Sequence, residues 1–324
     1  MQTALYYPFT GPQRESFLKS ALFLWDSVDF IVPSRGFHHY LESQDEQEAL
    51  EIVGSNYVPT IRDKQDAHDE LSKLCSAPIP TRYKFALESP SSRYDFYPEK
   101  LLRETWEMLS ESDLARVVSD NGSVRRASTS PLFGYYMMTI LAVCCSRGQK
   151  RMITDQVDPY HVLTTLLADE SPTEVFQDDW HGRLIALTLD GPDFSKIPLR
   201  RLIELRTKED KLLASQRQAF VAEVDKAAAD IMANAENPNI VRERIREFTT
   251  SMERDLCELK RALRLSGASL LLSKEFGVSV MAAVAAVPIA PIPGVILTLG
   301  GLAKGLLEGG VQNSVNLLEA RRAG

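Results

Sequence analysis

The sequence predicts an α/β N-terminal domain, with a small and mostly parallel sheet and many helices, followed by an all-α C-terminal domain of helical hairpins. Three observations predict it. The opening residues alternate strand, helix and strand patterns with good punctuation between them, and two more strand patterns follow at 152–154 and 184–189. From Ile197 onward the pattern changes to long amphipathic helical runs. Near the C-terminus, 276–303 carries no charged residue and is broken by Pro288, Pro291 and Pro293. The boundary falls at 195: residues 1–195 form a ligand- or partner-binding domain. Residues 196–324 are read as a coiled-coil-like hairpin (196–265) and an apolar helical hairpin (266–324).

Taken in order, Ala4–Tyr7 reads as a strand, closed by Pro8, Gly11 and Pro12. Arg14–Trp25 reads as a helix whose apolar stripe is Phe17, Leu18, Ala21, Leu22, Leu24 and Trp25. Asp26 and Ser27 end it, Val28–Val32 is the second strand, and so short a crossover favours a right-handed parallel pair. Helices are expected over 44–53, 62–76 and 99–110, with a Pro/Ser/Tyr-rich loop between the last two. The segment from Arg126 to Arg147 has no charge between its ends. Ser130 is a good N-cap, Pro131 a good first helical residue and Gly148 a good stop. That leaves about 16 helical residues, short of the roughly 20 a membrane span needs, so a buried helix feeding strand Met152–Thr154 is expected. Leu184–Leu189 is the last strand, bounded by Gly182 and by Asp190-Gly191-Pro192.

Pro198 opens a helix expected to reach Asn234, and Asn237-Pro238-Asn239 is a turn. Val241, Ile245, Phe248, Met252, Leu256, Leu259 and Leu263 then repeat in steps of four and three, a coiled-coil seam of about three heptads. In the apolar hairpin, arms of about 277–287 and 294–303 are each about 15–17 Å long as helices, half a hydrocarbon core. Two readings of it stand. Its alanines and glycines suit close packing inside a helical bundle. Equally, Val280, Val284, Pro288, Pro291, Pro293, Ile296 and Leu299 would make a membrane or assembly element, so the expected partners are a membrane surface, a protein partner or a further copy of the chain.

The net charge of −7 hides an asymmetry, because residues 1–195 hold 18 basic and 29 acidic side chains, whereas 196–324 hold 19 and 15. An acidic front without a Lys/Arg run interleaved with aromatics repels phosphate backbones and excludes nucleic acid as a partner. The first residues lack a basic, then apolar, secretory pattern, and the four cysteines form no C-x-x-C spacing. A cytoplasmic protein is expected, peripheral to or inserted in the inner membrane on the membrane reading. The five histidines have no metal-ligand spacing, so no metal is expected. No phosphate-binding loop or nucleophile elbow occurs, GGLAKGLLEGG lacks a preceding strand pattern, and no cofactor is expected. The acids and imidazole of Asp178-Asp179-Trp180-His181 read as a solvated loop.

The opening ALYYP, the helix ending LFLWD, the following IVPSRG and the later IPLRRLIELRTKEDKL resemble an uncharacterised family of bacterial proteins of similar length, a domain of unknown function. The resemblance covers the chain end to end. It implies a bacterial cytoplasmic origin and the α/β-then-helical layout, and it carries over no activity, cofactor or catalytic residue.

Ligands of open α/β sheets gather beyond the carboxyl ends of strands. The residues expected there are Tyr6, Tyr7, Arg35 and Asp155, a set able to bind a small polar or anionic ligand with Arg35 pairing to a carboxylate or phosphate. Two functions follow from these readings. One is a non-enzymatic effector or interaction protein acting through the apolar hairpin, in defence or toxicity. The other is a soluble enzyme or small-ligand-binding protein that uses the cleft at the carboxyl edge of the sheet, and the sequence assigns catalysis to no residue.

Overall fold

The computed structural model describes residues 3–39, 41, 43–76, 93–120, 123–147, 149–155, 184–190, 197–208, 279–284 and 294–299, with isolated helical positions between 214 and 247. Its centre is a seven-stranded sheet in the order β3-β2-β1-β7-β10-β8-β9. The strands are β1 (Thr3–Tyr6), β2 (Ser27–Ile31), β3 (Gly54–Tyr57), β7 (Arg151–Thr154), β8 (Leu184–Asp190), β9 (Ser279–Val284) and β10 (Gly294–Leu299). All pairings are parallel except that of β9 with β8. A smaller antiparallel sheet, β4 (Tyr94–Phe96), β6 (Ser123–Thr129) and β5 (Ala115–Asp120), stands beside it.

Strand alternation sorts side chains to two faces. Leu5, Tyr7, Ile31 and Met152 join one core with α3 (Ile61–Ser76), α4 (Arg103–Glu111) and α5 (Pro131–Ser146), around Trp106, Phe133 and Met137. On the other face Tyr6 and Phe30 pack on Phe17 of α1 (Glu15–Leu24), with ring centroids 4.5 Å apart for Tyr6–Phe17 and 5.2 Å for Tyr6–Phe30. Helices α2 (Gln44–Val53) and α6 (Leu199–Thr207) complete that layer against α1. The described core is therefore an α/β arrangement with a largely parallel sheet, and its first βαβ unit lies where the sequence puts it, within a residue or so at each end.

The expected helix at 131–146 forms, with the Ser130 hydroxyl accepting from Phe133 N–H at 3.4 Å. It ends with Arg147 in the left-handed region (φ 47°), one residue before the expected glycine stop. The expected 99–110 helix splits into a single 3₁₀ turn, Pro98–Lys100, and α4. Strands beyond the expected set appear in β3, β4, β5 and β6, besides the two near the C-terminus.

The largest correction concerns the apolar stretch near the C-terminus. Val280 and Val284 lie in strand β9, and Ile296 and Leu299 lie in strand β10, where helical arms were expected. Nor do these arms form a hairpin with each other: β8 lies between them, antiparallel to β9 and parallel to β10. A continuous apolar run is also a common sequence pattern of strands in largely parallel sheets. Pro288, Pro291 and Pro293 lie outside the described residues, as do the turn at 237–239 and every seam position from Val241 to Leu263.

Packing also crosses the expected boundary at 195. Strands from both sides of it share the large sheet. Arg200 pairs with Glu48 of α2, and Arg217, almost fully buried, holds Asp26 at 2.6 Å and the Leu24 carbonyl at 3.3 Å. No helix of the described residues is long and apolar enough to cross a membrane.

Candidate site at the carboxyl edge of the sheet

The chain runs outward from β1 through β2 to β3 and then returns to place β7 on the other side of β1. The crevice beyond β1 and β7 is thus a topological switch point, where the connections diverge and leave room above the strand ends. Three of the four expected site residues converge there. The Tyr6 hydroxyl donates to Asp155 Oδ1 at 2.8 Å, and the Gln13 backbone N–H donates to Oδ2 at 3.2 Å. The Tyr7 N–H donates to the Ile153 carbonyl at 3.2 Å, extending the β1–β7 ladder by one bond. Burial first, and then the Asp155 charge and hydrogen bond, push the Tyr6 hydroxyl well above the ordinary tyrosine range, so it stays a neutral donor.

Burial decides the role of this trio. Tyr6, Tyr7 and Asp155 are all at most 1% exposed. A carboxylate so placed cannot meet a ligand without rearrangement; it fixes the β1–α1 loop against β7. Above it the half-exposed Phe9, Tyr94 and Tyr135 rings pack on one another, with Phe9 and Tyr94 stacked at 5.6 Å and Tyr94 and Tyr135 edge-on at 5.5 Å. Tyr94 donates to the Pro8 carbonyl at 2.9 Å. Gly134, in the first turn of α5, is required by this stack, since a Cβ there would sit 2.6 Å from Tyr94 Cγ. Burial, followed by the Asp155 charge, raises the Tyr135 hydroxyl above its usual range.

Arg35 departs from the expected set. It is exposed on the loop after β2, apart from the Asp155 brace. Phe37, His38, His39 and Leu41 of that loop instead border an open surface pocket of about 480 Å³ together with α2 and the outermost strand β3. Phe37, Leu41 and Leu50 give it apolar wall, and Gln47, Glu51 and Ser55 add polar groups. Asn56 holds the loop in place: its amide N–H donates to the Phe37 carbonyl at 3.0 Å, and its side-chain oxygen faces His39 Nε2 at 2.8 Å. With Asn56 oriented by the Phe37 bond, His39 Nε2 carries the proton and Nδ1 is the bare nitrogen. Burial lowers the His39 pKa, against the raising effect of the Asn56 bond, which keeps the ring neutral. Nδ1 lies against Gly11 of the β1–α1 loop, where a Cβ would stand only 2.7 Å from it. The two loops therefore touch through Gly11 and His39.

The starts of α2 and α3 at this edge are already capped. Ser43 and Glu46 form a capping box on α2, with bonds of 2.9 and 3.2 Å. At α3 the fully buried Asp63 accepts from Thr60 N–H at 2.8 Å, from Tyr57 Oη at 2.7 Å and from Arg147 Nη2 at 2.7 Å. Burial alone would raise the Asp63 carboxyl, but the bonds from Arg147, Tyr57 and Thr60 outweigh it and hold the pKa below its ordinary value. Among the described residues no group of three His, Cys, Asp or Glu side chains could hold a metal ion. The Asp178–His181 segment lies outside the described residues.

Sequence reasoning missed the pocket residues. The signal that could have found them is the length of the β2–α2 connection, with aromatic and imidazole residues Phe37, His38 and His39 in its middle, since long loops at carboxyl edges carry sites. Compared with known proteins, the chain matches no family model, no curated protein and no solved structure. The resemblance to an uncharacterised bacterial family therefore rests on the short motifs of the opening and of 197–212.

Proposed function

We propose that the protein binds a small ligand at the carboxyl edge of its sheet, in the pocket between the β2–α2 loop, helix α2 and strand β3. The pocket itself carries this reading: about 480 Å³ is the size of small-molecule sites, and its walls mix apolar surface with a few polar groups. The Asn56 clamp on Phe37 and His39 supports it, because a loop held in shape before binding loses less entropy on binding. In this account Tyr6, Tyr7 and Asp155 are the buried footing of the neighbouring loop, and Arg35 stands outside the site. The effector reading loses its motive, since the segment that suggested a membrane element contributes two strands to the large sheet.

The test is a fragment screen read by amide chemical shifts on the isotope-labelled full chain. Shifts clustered at 37–41 and 47–56 are the expected result. Hits that cluster at Phe9, Tyr94 and Tyr135, or an absence of hits, would overturn the assignment.

A further inference from the structure

Resting on that site, the lining chemistry selects a ligand class. Gln47 and Glu51 are one helical turn apart, so these two exposed side chains lie along the same face of α2 at the pocket's rim. No lysine or arginine lines it, and the nearby Arg200 is engaged with Glu48 and Asp45 of the same helix. A phosphate or carboxylate entering here would meet the Glu51 carboxylate with no lysine or arginine to offset it. His39 offers no proton to a ligand, since its one N–H is directed at Asn56.

We propose that the pocket takes a guanine-type heterocycle, a neutral flat ring whose edge carries two adjacent N–H donors followed by a carbonyl. A carboxylate accepts two parallel N–H bonds, the geometry it uses with a guanidinium fork, which fits the two donors to Glu51. The Gln47 amide, one turn earlier, has an N–H for the ring carbonyl. Phe37, Leu41 and Leu50 supply apolar wall for the ring face. An adenine edge presents a bare ring nitrogen where the carboxylate needs a donor, so the same pair of residues rejects it.

The experiment is calorimetric titration of the full chain with guanosine, inosine and adenosine, on the native protein and on Glu51→Gln. Guanosine should bind, inosine, which lacks the ring amino group, about tenfold more weakly, and adenosine without saturation. Glu51→Gln should erase the gap between guanosine and inosine. Arg35→Ala, on the same loop but outside the pocket, should leave all three titrations unchanged. Equal binding of guanosine and inosine by the native protein, or a gap that survives Glu51→Gln, would overturn the ligand class. Fragments that map to the pocket while guanosine fails to bind would sink the ligand class and leave the site standing; no fragment and no guanosine would sink both.

Discussion

The loops that leave β1 and β2 start at neighbouring positions on the same sheet edge, yet they are held in opposite ways. The β1–α1 loop is anchored from beneath by a buried carboxylate: Asp155 takes the Tyr6 hydroxyl and the Gln13 N–H, and Tyr94 pins the Pro8 carbonyl. The β2–α2 loop is longer and is held by solvent-exposed bonds from Asn56, with Arg35 and His38 in water. Beneath the short loop lie buried polar groups. The longer loop borders an open pocket against a helix and an edge strand. At this edge, then, Tyr6 and Asp155 are buried in a brace, and the open pocket lies next to them.

Breaking the buried anchors should have the largest effects. Asp63→Ala removes the common acceptor of Arg147, Tyr57 and Thr60 and should cost about 2–4 kcal/mol in urea unfolding. The same group gives a pH signature. Because its folded pKa is depressed, its contribution is present above the unfolded carboxylate pKa of about 3.9 and is lost as pH falls through the lower folded value. The urea-unfolding free energy of Asp63→Asn should therefore fall less steeply as pH drops through that window than the native protein's. Asp155→Ala strands the buried Tyr6 hydroxyl and should cost about 1–3 kcal/mol, and Tyr6→Phe added to it should recover part of that loss.

The contact between the loops is the next test. Gly11→Ala forces a Cβ against His39 Nδ1 and should cost about 1–3 kcal/mol, with His39→Ala relieving most of it in a double-mutant cycle. Additive costs would mean that the loops are uncoupled. Asn56→Ala frees the Phe37 carbonyl and His39 at an exposed site and should cost only about 0.5–1.5 kcal/mol in stability while abolishing fragment binding. Smallest of all, Arg35→Ala should change stability by less than about 0.5 kcal/mol.

Legibility followed local signals. The first βαβ unit was readable because Pro8, Gly11, Pro12 and Asp26-Ser27 mark its turns, and α5 because Ser130 and Pro131 open it. Strand β3, Gly-Ser-Asn-Tyr, carries almost no strand propensity and exists because β2 offers it a parallel partner. The β5–β6 pair did leave a trace, an Asn121-Gly122 dipeptide between two β-rich runs. At 276–303 an apolar run reads alike as a packed helix or a strand, and only the pairing partner decides. The site followed the same rule. Tyr6 and Asp155 were placed together by their strand ends, whereas the Asn56 clamp joins residues 17 apart and has no local signature.

The central claim is that ligand responds on the β2–α2 loop and not on the β1–α1 loop. Hydrogen exchange by mass spectrometry, on the full chain with and without a saturating mixture of neutral heteroaromatic fragments, tests it most directly. The account predicts slowed exchange over 37–41 and 54–56 with residues 8–14 already slow and unchanged; protection confined to 8–14, or spread equally over both loops, would contradict it.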